Sequence, residues 1–560
     1  MRRTALSVLA AAMTMTAAAQ DKYVIFNGND GTHEYTMFSE IDSAAFLHGN
    51  TVASFYLKNG RNARYAVSSL ESIGFEASAG AATAYASDFS SYMSAAPVSA
   101  NVTEPARPTV ETDPAFGDYI ENFSQKVTLT FIYSGNSVTV TGSKPAEVTV
   151  EKNGAHVTVK STKKGMTYRL QGSTSDGSFT VANMNATQSD DNNKKFAIEL
   201  YGINMTNPKG PAINVQSGKT VYVKLTSGKT NTLKDGATYD VVAGESRKGT
   251  LFSEGQLIFS GEGTLNVTSL GGHGICSDDY VRLRQNTGTI SITALKDGIA
   301  TNDKFIMYGG KVTVNAQDDG ISVSRGPLEI YGGNLTVSCT DEGLVSEYLK
   351  PDTTCVTIAG GSLNITTTGA KGHAVYSTGK LSFRGGALSA TVRGDASKCI
   401  NAAGDITMSK AWAMLETSGI PQYDEEELDY SSAAAIRAKK NLSITGSTVA
   451  IHSTADGSKG INASGSVSIE GSTVTILTDG DNYKDIQNVR SRAIDAASLT
   501  IGGATLLNID AAMTAINTED GLTVAGGHTY AYTASPSAKC LNVKGTMSQT
   551  GGMILYGAKD

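Results

Sequence analysis

The sequence lacks several features that would assign a common function. Beyond its N-terminus, no apolar run approaches about 18 residues, so we expect no transmembrane segment in the mature chain. It contains no Ser-His-Asp nucleophile elbow, no glycine-rich phosphate loop and no CxxC pair. Only 11 of its 560 residues are proline, and its apolar residues do not follow a helical period. The composition therefore suits neither a helical enzyme nor a disordered protein.

Basic charge and cysteine are also scarce. The net charge is −7, which argues against nucleic acid or an anionic membrane as a partner. The five cysteines are an odd and sparse set for a disulfide framework. Cys339 and Cys355 flank an apparent loop and could pair with each other. The alternative is that most of the cysteines are small residues packed inside the fold.

Glycine, in contrast, is abundant, with 60 residues, and it belongs to a repeat. Between residues 273 and 345 one phrase returns: an acidic residue, Gly and an aliphatic residue, then an alternating strand, a Gly pair and a second strand. It occurs as Asp297-Gly298-Ile299, Asp319-Gly320-Ile321 and Glu342-Gly343-Leu344, at spacings of 22 and 23 residues. Such a period predicts an all-β fold, a right-handed single-stranded parallel β-helix with one coil per repeat.

The repeat can be traced by the aliphatic residue that follows Gly or Ala at the start of each coil. These anchors are Ile213, Leu251, Ile275, Ile299, Ile321, Leu344, Val375, Ile400, Ile436, Ile461, Ile494 and Ile516. The longer intervals contain insertions at 345–355, 409–433 and 480–491. Loops that leave a regular solenoid are common places for binding.

The N-terminal part of the chain predicts export and a separate module. Arg2 and Arg3 precede a short apolar core that ends in Ala-Ala-Ala before Gln20, the pattern of a signal peptide at 1–19. The mature protein should then be secreted, at the cell surface or periplasmic. Residues 20–76 hold two similar halves and predict a small β-rich module, which resembles the short N-terminal module of many secreted Bacteroidetes proteins. An Ala/Ser/Thr/Pro-rich linker at 77–120 and a solenoid at 121–560 follow.

Carboxylates recur at equivalent positions of neighbouring coils and indicate a calcium site. Adjacent coils lie about 4.8 Å apart, so these groups form ladders of like charge that need neutralisation. Calcium, with its six to eight oxygen ligands, would provide it. The alternative is that these residues sit in solvated turns, where Asp-Gly is favoured for its backbone alone. The candidate ligands are Asp297, Asp319, Glu342, Asp278, Asp279, Asp303, Asp318 and Asp341.

Three further groups of residues are candidates for sugar binding. Two positions before later anchors, equivalent to Asp297, Asp319 and Glu342, the chain has Lys398, Lys459 and Arg492, which could meet the carboxylates of a uronate chain. Tyr308 and Tyr331 should lie one above the other and could stack on sugar rings. Trp412, the only tryptophan, opens the acidic 409–433 insertion and is a secondary candidate. The alternatives are that charges at exposed turns vary freely and that the paired tyrosines are surface packing.

Several phrases of the chain resemble a family of secreted bacterial carbohydrate-binding β-helix proteins. They are IELYGINMTNPKGPAINV (198–215), VYVKLTSGKTNTLKDGATY (221–239) and GTLFSEGQLIFSGEGTLNV (249–267). The family is typified by a clostridial cellulose- and acid-sugar-binding protein with the fold of the pectate lyases, and the resemblance covers roughly residues 121–530. It implies calcium sites on the helix and binding to plant cell-wall polysaccharide, including polygalacturonate. No catalytic residue is carried over, because the typical member looks like a binder.

Catalysis remains an alternative to binding. A pectate-lyase mechanism needs calcium beside the uronate and an Arg or Lys as base, for which Arg284, Lys296 and Arg325 are candidates. No spacing selects one of them. We therefore expect a calcium-dependent, non-catalytic binder of acidic or cellulosic polysaccharide. A calcium-dependent polysaccharide lyase and a surface adhesin with a spacer solenoid are the alternatives.

Overall fold

The computed structural model describes residues 22–49, 51–76, 79, 101–182, 195–218, 220–348, 352–425, 428–483, 489–534 and 538–559. Within these ranges the chain is all-β: strands dominate, four short 3-10 turns accompany them, and there is no α-helix. No helix in the described part of the chain is long and apolar enough to cross a membrane. The predicted all-β class is confirmed, whereas the predicted signal peptide lies outside the described residues.

The chain divides into two compact units. The middle unit comprises Pro97–Gly394 and Lys398–Asp405. The terminal unit comprises Met1–Ala96, Asp395–Ser397 and Ile406–Asp560. Each unit has its own strands and its own candidate residues.

The middle unit is a large sheet in which parallel strands form three stacks. The first stack comprises Ala155–Ser161, Gly177–Ala182, Ile213–Gln216, Gly249–Ser253, His273–Ser277, Ile299–Thr301, Ile321–Val323, Leu344–Ser346, Val375–Ser377 and Lys398–Ala402. The second stack comprises Val127–Ser134, Met166–Thr174, Phe196–Thr206, Val221–Leu225, Leu257–Ser260, Tyr280–Leu283, Lys304–Met307, Leu328–Ile330, Thr354–Ile358 and Lys380–Phe383.

The first strand of the third stack is the C-terminal end of Phe196–Thr206. The stack continues with Thr230–Lys234, Thr264–Ser269, Thr289–Ala294, Lys311–Ala316, Asn334–Cys339, Ser362–Thr367 and Ala387–Val392. Two strands at the start of the unit, Ser137–Thr141 and Val148–Asn153, pair antiparallel with their neighbours. The unit also holds two 3-10 turns, Pro114–Asp118 and Ile120–Asn122.

The register of the first stack follows the predicted anchors. Ile275 pairs with Ile299, Ile299 with Ile321, and Ile321 with Leu344, all in parallel. All four side chains are 0% exposed, so they form one apolar column inside the unit. The predicted repeat and its anchors are confirmed at these positions. The polar residues that precede the anchors are therefore brought into register as well.

The glycine of the repeated phrase is required by close approach of neighbouring turns. A Cβ atom on Gly320 would lie 2.3 Å from the Val337 side chain and 2.4 Å from the carbonyl oxygen of Gly343. A Cβ atom on Gly298 would meet Val314 at 2.2 Å in the same way. No larger residue fits there without a shift of the backbone, which explains why acidic-Gly-aliphatic recurs as a unit.

The terminal unit contains a second set of parallel strands and the N-terminal module. The parallel strands are Ile406–Ser409, Trp412–Thr417, Ala434–Ala438, Leu442–Thr445, Thr448–Ser453, Lys459–Ala463, Ser466–Glu470, Thr473–Thr478, Arg492–Gly502, Leu506–Ala511, Thr514–Thr533, Leu541–Val543 and Thr546–Ala558. Ile436, Ile461, Ile494 and Ile516 pair in sequence, as their anchor positions predict. The strands Gln422–Asp424 and Asp429–Ser431 form an antiparallel hairpin inside the predicted 409–433 insertion.

The N-terminal module consists of two halves, each with two strands, a 3-10 turn and a third strand. The first half is Tyr23–Gly28, His33–Met37, Phe38–Glu40 and Ile41–Leu47, and the second is Val52–Leu57, Asn62–Ala66, Val67–Ser69 and Leu70–Glu76. Strand Asn62–Ala66 pairs antiparallel with Thr546–Ala558. Phe26, Phe55 and Tyr65 pack with Tyr530 and Met553 in one apolar cluster. The module thus covers the edge of the last long strand, which would otherwise offer unpaired backbone groups.

All five cysteines, Cys276, Cys339, Cys355, Cys399 and Cys540, are buried. Cys339 ends a strand of the third stack, and Cys355 lies in a strand of the second. The structure supports the second alternative from the sequence: within the described residues, the cysteines are packed in the interior, and none of them forms a disulfide.

Removing an anchor side chain should destabilise the protein strongly. Ile321→Ala leaves a cavity in the fully buried column and should cost about 2–5 kcal/mol of unfolding free energy. The matched control is Lys311→Ala in the preceding repeat, where the side chain is exposed and the cost should stay within about 0.5 kcal/mol. Chemical denaturation of both variants would measure this. Equal midpoints for the two variants would contradict the assignment of Ile321 to the interior.

Candidate functional site

An acidic cluster forms where the turns before the first stack of the middle unit lie beside each other. Asp318 and Asp319 precede the strand Ile321–Val323, and Asp341 precedes Leu344–Ser346. Because these strands pair in parallel register, their turns are neighbours. One carboxylate oxygen from each of the three aspartates lies within 4.8 Å of the other two. All three are residues that the sequence analysis selected as metal ligands.

Backbone hydrogen bonds hold the cluster in place. The N–H of Glu342 donates to Oδ1 of Asp319 at 3.0 Å, which ties one turn to the next. The N–H of Gly320 donates to the carbonyl oxygen of Glu342 at 2.8 Å, and the N–H of Gly298 donates to that of Asp319 at 2.9 Å. Hydrogen bonds between neighbouring repeats thus fix the positions of the carboxylates.

The cluster carries more negative charge than the protein neutralises. Among the described residues, no lysine or arginine pairs with Asp318, Asp319, Asp341 or Glu342. His273 lies beside the neighbouring Asp297, with its Nδ1 3.3 Å from Oδ2 of that residue. That nitrogen is buried and has no aligned hydrogen bond within the described chain.

The pKa values of these carboxyls respond to burial and to their mutual repulsion. Burial and the neighbouring Asp297 raise the pKa of Asp319 to about 7. Burial and the carboxylates of Asp319 and Asp341 raise the pKa of Glu342 to about 10. Burial, Asp297 and Asp341 also raise the pKa of Asp318. Without a cation, part of the cluster therefore holds protons at neutral pH.

The donor set fits a hard divalent cation. Two oxygens that share one calcium ion at about 2.4 Å can lie no more than about 5 Å apart, and the oxygens of Asp318, Asp319 and Asp341 meet this limit. Carboxylate oxygens are the ligands that calcium prefers, and turn carbonyls or water can complete its six to eight positions. The absence of a paired lysine or arginine among the described residues leaves the charge available to such an ion.

Three other predicted ligands, Asp278, Asp279 and Asp303, differ from the cluster because the protein already supplies side-chain partners for them. Asp278 forms an ion pair with Lys248, and Asp303 forms one with Arg325 at 3.1 Å. Asp279 accepts a hydrogen bond from the side-chain amide of Gln256. Burial and the nearby Asp303 raise the pKa of Asp279. The structure thus divides the eight predicted ligands into a cluster without ammonium or guanidinium partners and a set with its own partners.

Tyr308 and Tyr331 lie one above the other, with ring centroids 4.7 Å apart and planes 10° from parallel. The guanidinium of Arg282 lies over the Tyr308 ring, 5.0 Å from its centroid. Tyr308 is only 9% exposed. In this arrangement the two rings stack on each other, and Tyr308 has little surface left for a sugar.

The predicted basic residues are engaged by acidic or polar groups. In the middle unit, Lys398 is buried, 7% exposed, and its backbone N–H donates to Nδ1 of His373 at 3.2 Å. In the terminal unit, Lys459 and Arg492 both pair with Asp495, each at 2.7 Å. Burial alone would raise the pKa of Asp495, but these two cations outweigh it and lower the pKa.

The terminal unit also presents an aromatic hairpin. Trp412 is the half-buried first residue of the strand Trp412–Thr417. The hairpin that follows carries Tyr423 and Tyr430, whose ring centroids lie 5.4 Å apart. Tyr423 is 43% exposed and Leu428, at the turn, is 72% exposed. Exposed aromatic faces of this kind suit the C–H faces of sugar rings.

One set of residues was not anticipated from the sequence. Residues 101–123 lie against the second stack of the middle unit, and their carboxylates bind Arg282 and Arg284. Arg284 was considered only as a candidate base, and Glu104 was not considered. No local signal marks these contacts, because the partners are more than 160 residues apart in the chain.

Comparison with known proteins gives a family. A family model described as "Carbohydrate-binding domain-containing protein" matches residues 153–482, more than half of the chain. A carbohydrate-binding domain-containing protein of Acetivibrio thermocellus is 27% identical over 162 residues, 28% of this chain and 45% of that protein. The match thus spans less than half of that relative.

A solved structure gives a weaker match. It is described as the polysaccharide lyase-like protein from C. thermocellum, in a gadolinium derivative. It is 21% identical, has a TM-score of 0.37, and covers 44% of this chain and 94% of that chain.

The metal-free protein should lose stability from Asp319 as the pH rises. The folded state keeps this carboxyl protonated up to about pH 7, whereas the unfolded chain ionises it near pH 4. The folded state therefore holds the extra proton, and its contribution to the free energy of unfolding falls between about pH 4 and pH 7.

Thermal unfolding in a chelating buffer measures this effect. The Tm of the wild type should fall relative to Asp319→Asn by a few degrees across the range, while Asp303→Asn should keep the wild-type slope. Parallel curves for the wild type and Asp319→Asn would contradict the raised pKa.

Proposed function

This chain belongs to the family of carbohydrate-binding domain-containing proteins, and we propose that it is an exported, calcium-dependent binder of acidic or cellulosic polysaccharide without catalytic activity. The observation that carries this proposal is the cluster of Asp318, Asp319 and Asp341, three carboxylates in reach of one ion. Export is supported by the signal-peptide pattern at residues 1–19. The module at 20–76 is proposed to be the accessory module of a secreted Bacteroidetes-type protein.

We further propose that the three stacks are the three walls of a right-handed parallel β-helix. The regular step of 22 to 25 residues between most anchors and the parallel pairing of every third strand support this architecture. Crossovers between parallel strands are right-handed in about 98% of known cases. A solenoid of this kind offers a long surface on which a linear glycan can lie.

Asp318, Asp319 and Asp341 would hold calcium, with Glu342 and turn carbonyls as further oxygen donors. The ion would supply positive charge that a uronate carboxylate can approach directly. The carboxyls that burial and repulsion keep protonated would release their protons when the ion binds. Calcium affinity should therefore rise with pH through the neutral range.

We expect the middle unit to bind acidic glycan and the terminal unit to bind a more neutral sugar. Calcium bound at the acidic cluster would bridge to carboxylates of the glycan. The exposed ring of Tyr423 would take a sugar face without any need for charge. Lys459 and Arg492 already share Asp495, so their contribution to uronate binding is expected to be small.

The lyase alternative has less support in this arrangement. A lyase needs an arginine or lysine free to take a proton next to the uronate carboxylate. Arg325 is paired with Asp303, and Arg284 is 7% exposed and bound by Glu104 and Glu121. Lys296 is the exposed candidate that remains. Because two of the three candidate bases are engaged, we favour binding without turnover, and Lys296 is the residue on which a lyase would depend.

Calcium binding should depend on the acidic cluster alone. Asp319→Asn combined with Asp341→Asn removes two of the three converging carboxylates and should lower calcium affinity by at least about tenfold for each. Asp303→Asn is the matched control, because its carboxylate already has Arg325 as partner. Isothermal titration with calcium would measure all three proteins. An affinity of the double variant equal to that of the wild type would place calcium elsewhere.

Glycan binding and turnover can be measured in one experiment on residues 20–560. Polygalacturonate is offered with calcium and with chelator, and bound protein is read together with the absorbance of unsaturated uronides. We expect calcium-dependent binding and no growth of absorbance. Growing absorbance would identify a lyase. If neither binding nor absorbance growth is seen, and a wider glycan panel also shows no binding, the surface adhesin is favoured.

A further inference from the structure

A segment of the middle unit, residues 101–123, lies across the face of the second stack, and we call it the strap. At one end the N–H of Val102 donates to the carbonyl oxygen of Tyr331 at 2.7 Å. At the other end the hydroxyl of Tyr222 donates to the carbonyl oxygen of Gly117 at 2.7 Å. The strap thus reaches from the strand Val221–Leu225 to the end of Leu328–Ile330, five successive strands of the stack.

Carboxylates of the strap bind two arginines of the sheet. Glu104 pairs with Arg282 at 2.8 Å and with Arg284 at 3.2 Å. Asp118 pairs with Arg282 at 3.2 Å, and Glu121 pairs with Arg284 at 2.5 Å. Burial alone would raise the pKa of Glu104, but the hydrogen bonds from both arginines outweigh it and hold the pKa below its usual value. Three acidic groups of one linear segment thus meet two guanidinium groups.

Arg282 lies on the outer face of its strand, Arg284 directly follows that strand, and the strap covers both side chains. Arg282 alternates with Val281 and Leu283, which are both 0% exposed and face the interior. Arg282 and Arg284 are themselves only 5% and 7% exposed. Polar groups on this outer face would otherwise be available to an external partner.

Aromatic rings surround the two guanidinium groups. Arg282 lies over the ring of Tyr308, which stacks on Tyr331, and Arg284 lies over Tyr119 of the strap at 4.4 Å. Tyr280 of the sheet donates its hydroxyl proton to Asp118. Without the strap, and so without Tyr119, the face would present two guanidinium forks for carboxylates beside the stacked rings of Tyr308 and Tyr331.

Stability alone does not explain this choice of residues. Buried ion pairs lose most of their attraction to desolvation, and apolar residues of similar volume are often as stabilising or more so. The same strap also uses apolar contacts, since Ile120 and Phe123 pack on Tyr222 and Ile258. An apolar interface along the whole strap would have sufficed to cover the sheet.

We propose that the outer face around Arg282 and Arg284 is a second glycan-binding surface, specific for a carboxylate-bearing chain, which the strap occupies as an internal ligand. This inference rests on the proposed function to the extent that the external ligand is an acidic glycan. It does not depend on calcium, because the arginines supply the positive charge. The strap competes at the high effective concentration of a tethered group, so binding at this face is suppressed until the strap is displaced.

The test weakens the strap through its carboxylates and measures uronate binding in chelator. Glu104→Gln with Glu121→Gln should increase hydrogen exchange in residues 101–123 and raise the affinity for oligogalacturonate at least about tenfold over the wild type. The matched control, Glu111→Gln with Asp113→Asn, removes the same charge from strap residues that do not contact the arginines, and it should behave as the wild type. Adding Arg284→Gln to the first pair should abolish the gain.

Two results would overturn the proposal: hydrogen exchange in the strap that rises without a gain in oligogalacturonate binding, or hydrogen exchange that does not rise. A gain that a neutral cello-oligosaccharide shows equally would overturn the specificity for carboxylates.

A second arm avoids variants that fold poorly. Oligogalacturonate at saturating concentration should increase hydrogen exchange in the strap of the wild type, and unchanged exchange would overturn the proposal. Chelator removes calcium from both arms, so failure of the calcium site cannot produce or mask either result.

Discussion

The parallel hydrogen bonding between successive repeats is the constraint on which the rest of the structure depends. It places equivalent residues of neighbouring repeats about 4.8 Å apart, and it does so for polar turns as strictly as for apolar strands. Ile299, Ile321 and Leu344 become one buried column for this reason. The carboxylates that precede them are drawn together by the same rungs, although their charges oppose the approach. The candidate site is thus a consequence of the register of the core.

The features that recur along the chain could be predicted from the sequence. A period of 22 and 23 residues with an aliphatic residue after each glycine gives the anchors, and the structure pairs them as expected. The same counting brings Asp319 and Glu342 to neighbouring turns. Asp318 and Asp341 follow because each precedes one of these residues in its turn. Periodicity is a local signal, and every coil repeats it.

The contacts that join distant segments could not be predicted in this way. Residues 101–123 were assigned mainly to a flexible linker by composition, yet they contain Glu104, which meets Arg282 more than 170 residues later. The stacking of Tyr308 on Tyr331 followed from their register, but the cover over that face did not. Likewise, the prediction that Lys459 and Arg492 meet uronate carboxylates did not include Asp495, with which both side chains pair. Sequence position shows which residues line up, and only the folded chain shows what faces them.

A fold that stacks like residues must neutralise the charges it stacks, and this protein does so in three ways. Asp278 and Asp303 have lysine and arginine partners from other coils, and Arg282 and Arg284 have the carboxylates of the strap. In the cluster around Asp319 and Glu342, no lysine or arginine partner is present among the described residues, and protons take its place at neutral pH. A proton is readily exchanged for a metal ion, whereas a covalently tethered lysine or arginine is not. The cluster around Asp319 and Glu342, whose charge is neutralised by protons, is therefore suited to an exchangeable cation. The outer face around Arg282 and Arg284 is suited to an exchangeable carboxylate.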